Sequence, residues 1–204
     1  MLFEDTYKEI DESTEGFFKD RGSKFISHSF LVRNEDEIKE HLQELRKKYY
    51  DARHHCYSWV LNPDKLAYRI NDDGEPSGSA GRPIYGQLQS YDLTNILVVV
   101  IRYFGGTKLG IPGLINAYKS ATKDALNQAK INNLFIKDVY KVTFQYPDMN
   151  IVMKILKDED LEQFDQDFGI DCKLNFSVRK LESERIFEKF RKIHTLSIKY
   201  EKTI

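Results

Sequence analysis

The chain has 204 residues, 41% hydrophobic and 31% charged, with 31 Lys+Arg against 32 Asp+Glu and a formal net charge of -1 at pH 7. Such a chain is long enough to bury a core as one large domain or two small ones, and it exerts no global electrostatic pull on nucleic acid or membrane, so any such binding must come from a local patch. No apolar run approaches the roughly 20 residues that cross a bilayer, and the N-terminal MLFEDTYKEIDESTEGFF lacks a basic-then-apolar leader.

In chain order, residues 6–11 and 15–18 read as short strands and 24–32 as a longer one. Residues 35–50 carry acids in front, bases behind, and Ile38, Leu42 and Leu45 at helical spacing. That pattern predicts an amphipathic helix whose charges complement its dipole. Residues 54–61 and 66–70 predict strands joined at Asn62-Pro63-Asp64, and 71–83, rich in Gly, Ser, Asp and Pro, predict a loop. A short helix is expected over 84–91, with Ser79 as a cap upstream. The unbroken apolar run of 95–103 suits a strand buried on both faces. Pro112 suits a first helical turn, and the helix that follows is expected to end near Asn132.

Beyond Phe135 the pattern predicts a strand over 136–146, a helix over 150–157, strands over 161–168 and 171–179, a helix over 182–193 and a last strand over 196–200. The order βαββαβ is that of a ferredoxin-like module. The expected architecture is α+β in two domains, residues 1–133 and 134–204. The second segregates its charge: seven acids from Asp158 to Asp171 occur without an intervening base, and Arg179, Lys180, Arg185, Lys189, Arg191 and Lys192 follow. A solvated strand edge and helix face accounts for this, and so does a helix that meets an anionic partner. Cys56 and Cys172, far apart, fit a reducing, cytoplasmic setting rather than a disulfide framework.

The candidate sites are few. Where the apolar strand ends, Arg102, Gly105, Gly106, Lys108 and Gly110 precede a helix. Strand, glycine turn and helix N-terminus can together hold an anion on free N–H groups; a plain structural turn has the same residues. Neither the P-loop nor the dinucleotide fingerprint is present, since Thr107 precedes Lys108 and Gly106 directly follows Gly105. The loop NDDGEPSGSAGRP brings Asp72, Asp73 and Glu75 near Arg82, as a metal or acid–base site would require, but also as ordinary turns do. His54, His55 and Cys56 alternate along a strand, which leaves two potential ligands on one face and no zinc set. No metal or other cofactor is expected. Arg21-Gly22-Ser23-Lys24-Phe25 reads as a basic turn that either punctuates a hairpin or extends a basic surface.

DDGEPSGSAGRPI (72–84) and VVVIRYFGGTKLGIPGLINAY (98–118) together resemble the signature of the IMPACT/YigZ family, with DRGSKFI (20–26) and DARHHCYSW (51–59) as two further blocks. Tyr85 stands where the signature carries a second aliphatic. The resemblance implies an N-terminal domain folded like the second domain of a small-subunit ribosomal protein, and a ferredoxin-like C-terminal domain similar to those of elongation factor G. Eukaryotic members regulate translation initiation under stress by competing for the activator of a kinase; they carry a separate RWD domain that these residues lack, so that role is not carried over. The resemblance implies a cytoplasmic factor that binds RNA, ribosomes or a translation-related protein, with Arg82, Arg102, Gly105, Gly106, Lys108 and Gly110 as the phosphate or nucleic-acid surface and Tyr103 or Phe104 available for stacking. An enzyme acting on a small phosphorylated or peptide substrate is the alternative, with Asp73, Glu75 and His54 or His55 as acid–base candidates. Some bacterial members are labelled proline dipeptidases, and no metal-ligand set here supports that. A third reading places protein capture on the ferredoxin-like domain. Oligomeric state is not legible from the residues.

Overall fold

The computed structural model describes residues 5–204, so the first four positions of the predicted N-terminal domain lie outside the described residues. The fold is α+β and divides into two compact units, Tyr7–Leu134 and Phe135–Ile204, the latter together with Asp5 and Thr6.

In the N-terminal unit the central strand explains the rest. Strands β1 (Thr6–Ile10), β2 (Thr14–Asp20) and β3 (Ser23–Leu31) lead to helix α1 (Glu35–Lys48), then β4 (His54–Leu61), β5 (Ala67–Asn71), helix α2 (Gly81–Ser90), β6 (Ile96–Tyr103), helix α3 (Gly110–Gln128) and β7 (Ile131–Phe135). Five of these strands form a sheet in the order β2-β3-β6-β4-β5, antiparallel throughout, while β1 pairs with β7. Val98 and Val100 of β6 pack with Phe25, Cys56 and the α2 and α3 residues Ile84, Leu88, Leu114 and Tyr118. Leu97, Val99 and Ile101 point the other way, to Ile38 and Leu45 of α1. Helices therefore cover both faces at β6, and every residue from Ile96 to Ile101 is fully buried, which is why its apolar run does not alternate.

Helix α1 begins as its sequence suggests. The Asn34 side chain accepts from the Asp36 and Glu37 N–H groups at 3.0 Å, and acids and bases complement the two ends of the dipole. Helix α2 departs from expectation. It begins at Gly81, and Ser79 does not cap it, because its hydroxyl donates back to the Pro76 carbonyl at 2.6 Å. The acceptor is Asp72, whose carboxylate takes the N–H groups of Gly78, Ala80 and Gly81 at 2.8, 3.0 and 2.8 Å. Helix α3 stops at Gln128 rather than near Asn132, because residues from Ile131 pair with β1 as strand β7.

The C-terminal unit runs β8 (Lys137–Phe144), α4 (Met149–Asp158), β9 (Glu162–Phe168), β10 (Cys172–Arg179), α5 (Ser183–Arg191) and β11 (Ser197–Thr203). Its antiparallel sheet has the order β11-β8-β10-β9, the arrangement of a ferredoxin-like fold, over a core that includes Val142, Leu174, Phe176, Val152, Ile186 and Phe190. Three of the seven acids, Glu162, Asp165 and Asp167, lie on β9, an edge strand whose side chains are largely exposed. Glu159 is different. It accepts from Arg185 Nη2 at 2.8 Å and Lys189 Nζ at 2.5 Å, so those two cations of α5 are engaged within the unit.

The hydrogen bonds from Arg185 and Lys189 lower the Glu159 carboxyl from its ordinary 4.5 to about 2. A carboxyl whose pKa is depressed on folding adds stability above its unfolded pKa, and that stability is lost as pH falls through the folded value. Glu159→Gln is therefore expected to lower the melting temperature most above about pH 5, with the gap from the parent closing as pH falls toward about 2. A gap that is the same at all pH values would show that the carboxylate contributes nothing as a charge.

Candidate functional site

Where the ends of β4 and β6 meet the N-terminus of α3, the N-terminal unit carries a half-open cleft of about 730 Å³. Its floor is a buried polar network. Arg102, opposite His54 in the sheet register, closes β6 with its side chain 9% exposed. Its Nη1 donates to Glu75 Oε1 at 2.6 Å, and Tyr118 of α3 donates its hydroxyl to the same oxygen at 2.8 Å. The guanidinium lies over the Phe25 and Phe104 rings at 5.6 and 5.7 Å from their centroids. Both hydrogen bonds to Glu75 land on Oε1, and Oε2 carries none among the described residues.

Below the network, the Cys56 thiol donates to the Asp72 carbonyl at 3.0 Å, with its sulfur 3.3 Å from the Tyr118 hydroxyl. Burial pushes both the Cys56 thiol and the Tyr118 phenol well above their ordinary values. Cys56 is thus a packed thiol, since nucleophilic cysteines need the opposite shift. Above the network, His54 holds the Asp73 carbonyl through Nδ1 at 2.9 Å. A carbonyl only accepts, so the neutral ring carries its proton on Nδ1 and keeps Nε2 as an acceptor.

The rim is cationic and apolar. Arg53 and Lys108 are exposed, line the cleft and form no ion pair among the described residues. Helix α3 opens into the same cleft through Gly110 and Ile111, with no side-chain cap and no acid in its first turn. The N–H groups of Gly110 and Ile111, which precede Pro112 with its missing donor, have no side-chain cap among the described residues and stand at the positive end of the dipole. Phe104 is 59% exposed and Ile111 53%, beside Leu109, Leu114 and Pro76. Tyr103 donates to Asp51 at 2.7 Å, and this hydrogen bond pushes its phenol up to about 12.

Of the residues singled out in the sequence, Arg102, Lys108, Gly110, Glu75 and His54 line this cleft. Asp73, His55, Arg82, Gly105 and Gly106 do not. Asp73 is occupied by Arg46 Nη2 at 3.0 Å and the His55 N–H at 2.7 Å. His55 is buried with Nε2 unpartnered, and burial lowers its pKa. Arg82 is exposed on α2. Among the described residues no cluster of three His, Cys, Asp or Glu side chains is placed to hold a metal. Arg53 and Asp51 join the cleft although the pattern did not mark them; their signal was their place just before β4 in the DARHHCYSW block.

Gly105 has a packing role. A Cβ there would lie 1.9 Å from the carbonyl carbon of Gly22 and 2.1 Å from the Ser23 nitrogen. The loop after β6 thus rests on the backbone of the β2–β3 turn, and the Gly105 N–H donates to Ser23 Oγ at 3.1 Å. Gly106 adopts φ +90° in open space.

Residues 21–126 match the family model described as the Impact N-terminal domain. The IMPACT family member YvyE of Bacillus subtilis is 38% identical over 122 residues, 60% of this chain but only 56% of that protein. An IMPACT family member in the pol 5'region of Thermus thermophilus is 34% identical over 142 residues, 69% of this chain and 75% of that protein. A crystal structure of a hypothetical protein superposes at TM-score 0.72 with 24% identity, covering 98% of this chain and 99% of that one; at that identity the likeness is one of fold. No helix among the described residues is long and apolar enough to cross a membrane.

Gly105→Ala forces backbone against backbone and is expected to cost about 1–3 kcal/mol, as overpacking does. Gly106→Ala meets open space and carries only left-handed strain, about 1 kcal/mol. Urea unfolding of both variants checks the order; equal costs would show that the contact with Gly22 is slack.

Proposed function

The chain belongs to the IMPACT family, and from that premise we propose that it is a non-catalytic cytoplasmic factor of translation that binds RNA, free or on the ribosome, by seating a phosphate-bearing segment in the cleft. One observation carries this reading: Arg53, Lys108 and the uncapped N-terminus of α3 converge on one cleft with no ion-pair partner among the described residues, beside the exposed ring of Phe104. Cations and N–H groups hold phosphate, and an aromatic face takes a base regardless of its identity. The Arg102–Glu75 pair serves as the floor that fixes Phe104 and α3 in place.

A second reading, an enzyme acting on a small phosphorylated substrate, is favoured by two features of the same cleft. Its volume falls in the range of small-molecule sites, about 300–1,000 Å³, and Glu75 Oε2 and His54 Nε2 are acceptors at its wall.

Arg102 is a poor probe, because removing it strands Glu75 as an unpaired buried charge at a cost of about 3–5 kcal/mol. Arg53→Ala/Lys108→Ala leaves the floor intact. Co-sedimentation with ribosomes across a salt series is expected to show binding that falls with salt. In the double variant the slope of log K against log salt is expected to shrink by about 1.4, roughly 0.7 for each lost single-strand phosphate contact. A folded protein that fails to sediment with ribosomes at low salt, yet melts higher with a mononucleotide or sugar phosphate, overturns the RNA reading in favour of the enzyme.

A further inference from the structure

Resting on the reading of the cleft as an RNA site, we infer that the bound strand does not end there but continues over Phe104 onto a second subsite built by the β2–β3 hairpin. The first observation is a shared wall. Tyr103 and Phe104 line the cleft on one side and, on the other, a shallow cavity of about 320 Å³ completed by Gly22, Lys24 and Ile26. The second is the charge beside it. Lys19 and Lys24 stand directly opposite each other across β2 and β3, and Tyr103 stands opposite Lys24 across β3 and β6. Directly opposed residues of an antiparallel pair share a face, so Lys19, Lys24 and Tyr103 form one row.

Like charges placed opposite one another destabilise a sheet, and both lysines are exposed without an ion-pair partner among the described residues. The hairpin tip adds Arg21, also exposed and without an ion pair among the described residues. Asp51 at the far end of this row is engaged by Tyr103, and Asp20, next to Lys19 along β2, stands one register position on and so on the opposite face. Three uncompensated cations beside two aromatic rings suit a polyanion that carries stackable rings, which is single-stranded nucleic acid. The track is also bounded. Beyond Ile26 the next cavity is lined by Glu15 and Asp124, which repel phosphate. The hairpin is held to the cleft by the Gly105–Gly22 contact, so the two subsites keep a fixed spacing.

The test measures anisotropy with labelled oligouridylates, a dinucleotide that fills only the cleft and a strand of roughly eight nucleotides, within the site sizes of single-strand binders. The longer strand is expected to bind at least about ten-fold tighter. Lys19→Ala/Lys24→Ala should remove most of that advantage while leaving the dinucleotide unchanged. The fold is not at risk in this variant, because it relieves a like-charge pair; its melting temperature verifies that. Longer-strand binding unaffected by the lysine variant overturns the track, as does an oligoglutamate peptide that competes as well as RNA of equal charge. If the dinucleotide binds and is lost in Arg53→Ala/Lys108→Ala, while length adds nothing, the cleft reading stands and the track alone falls. If neither oligonucleotide binds the parent protein, both fall.

Discussion

An arginine at the end of a buried strand has to be given a partner, and the architecture of the cleft follows from how Arg102 gets one. Its strand carries it into a sheet covered on both sides, where an unpaired guanidinium would cost several kcal/mol. Glu75 meets that demand from the β5–α2 loop, and Tyr118 fixes the carboxylate from α3. Strand, loop and helix are thereby tied at one point. The same loop is anchored a second time by Asp72, which turns three backbone N–H groups inward and starts α2. What remains free at the surface is what the buried network does not use: the α3 N-terminus, Lys108, Arg53 and the outer face of Phe104.

Much of the fold was legible because it rests on local pattern. The apolar run of β6, the dipole-matched charges of α1 and the βαββαβ order of the C-terminal unit are each written in contiguous residues. The parts that escaped depend on long-range partners. Strand β7 exists because residues from Ile131 find β1, far away in sequence, whereas local pattern carried the helix on to near Asn132. Asp72 caps α2 from eight and nine residues upstream, beyond the three-residue reach in which caps are recognised, so Ser79 looked the better candidate. The candidate site was legible in outline through its glycines and cations. Their division of labour was not: nothing in the spacing distinguishes Gly110, which lines the cleft, from Gly105, which packs on a neighbouring turn.

The near-zero formal charge conceals an uneven distribution. In the C-terminal unit Arg185 and Lys189 are spent on Glu159; in the N-terminal unit Arg33 is spent on Glu9 and Arg46 on Asp73. Among the cations that form no ion pair within the described residues, Arg53 and Lys108 line the cleft and Lys19, Arg21 and Lys24 stand on the β2–β3 hairpin, while others such as Arg69, Arg82 and Lys123 lie elsewhere on the surface. A polyanion seated as proposed above would meet only a few uncompensated charges in a fixed geometry, without the indiscriminate adhesion of a strongly basic chain.

The contact between Gly22 and Gly105 carries a consequence for how such a chain can change over generations. Two backbones that approach this closely must shift to take a side chain at Gly105, and a Cβ on Gly22 would come within 2.7 Å of the Gly105 oxygen. A change at either position is felt at the other. The hairpin block around Gly22 and the glycine block around Gly105, 82 residues apart along the chain at their Ser23 bond, are bound by one steric constraint.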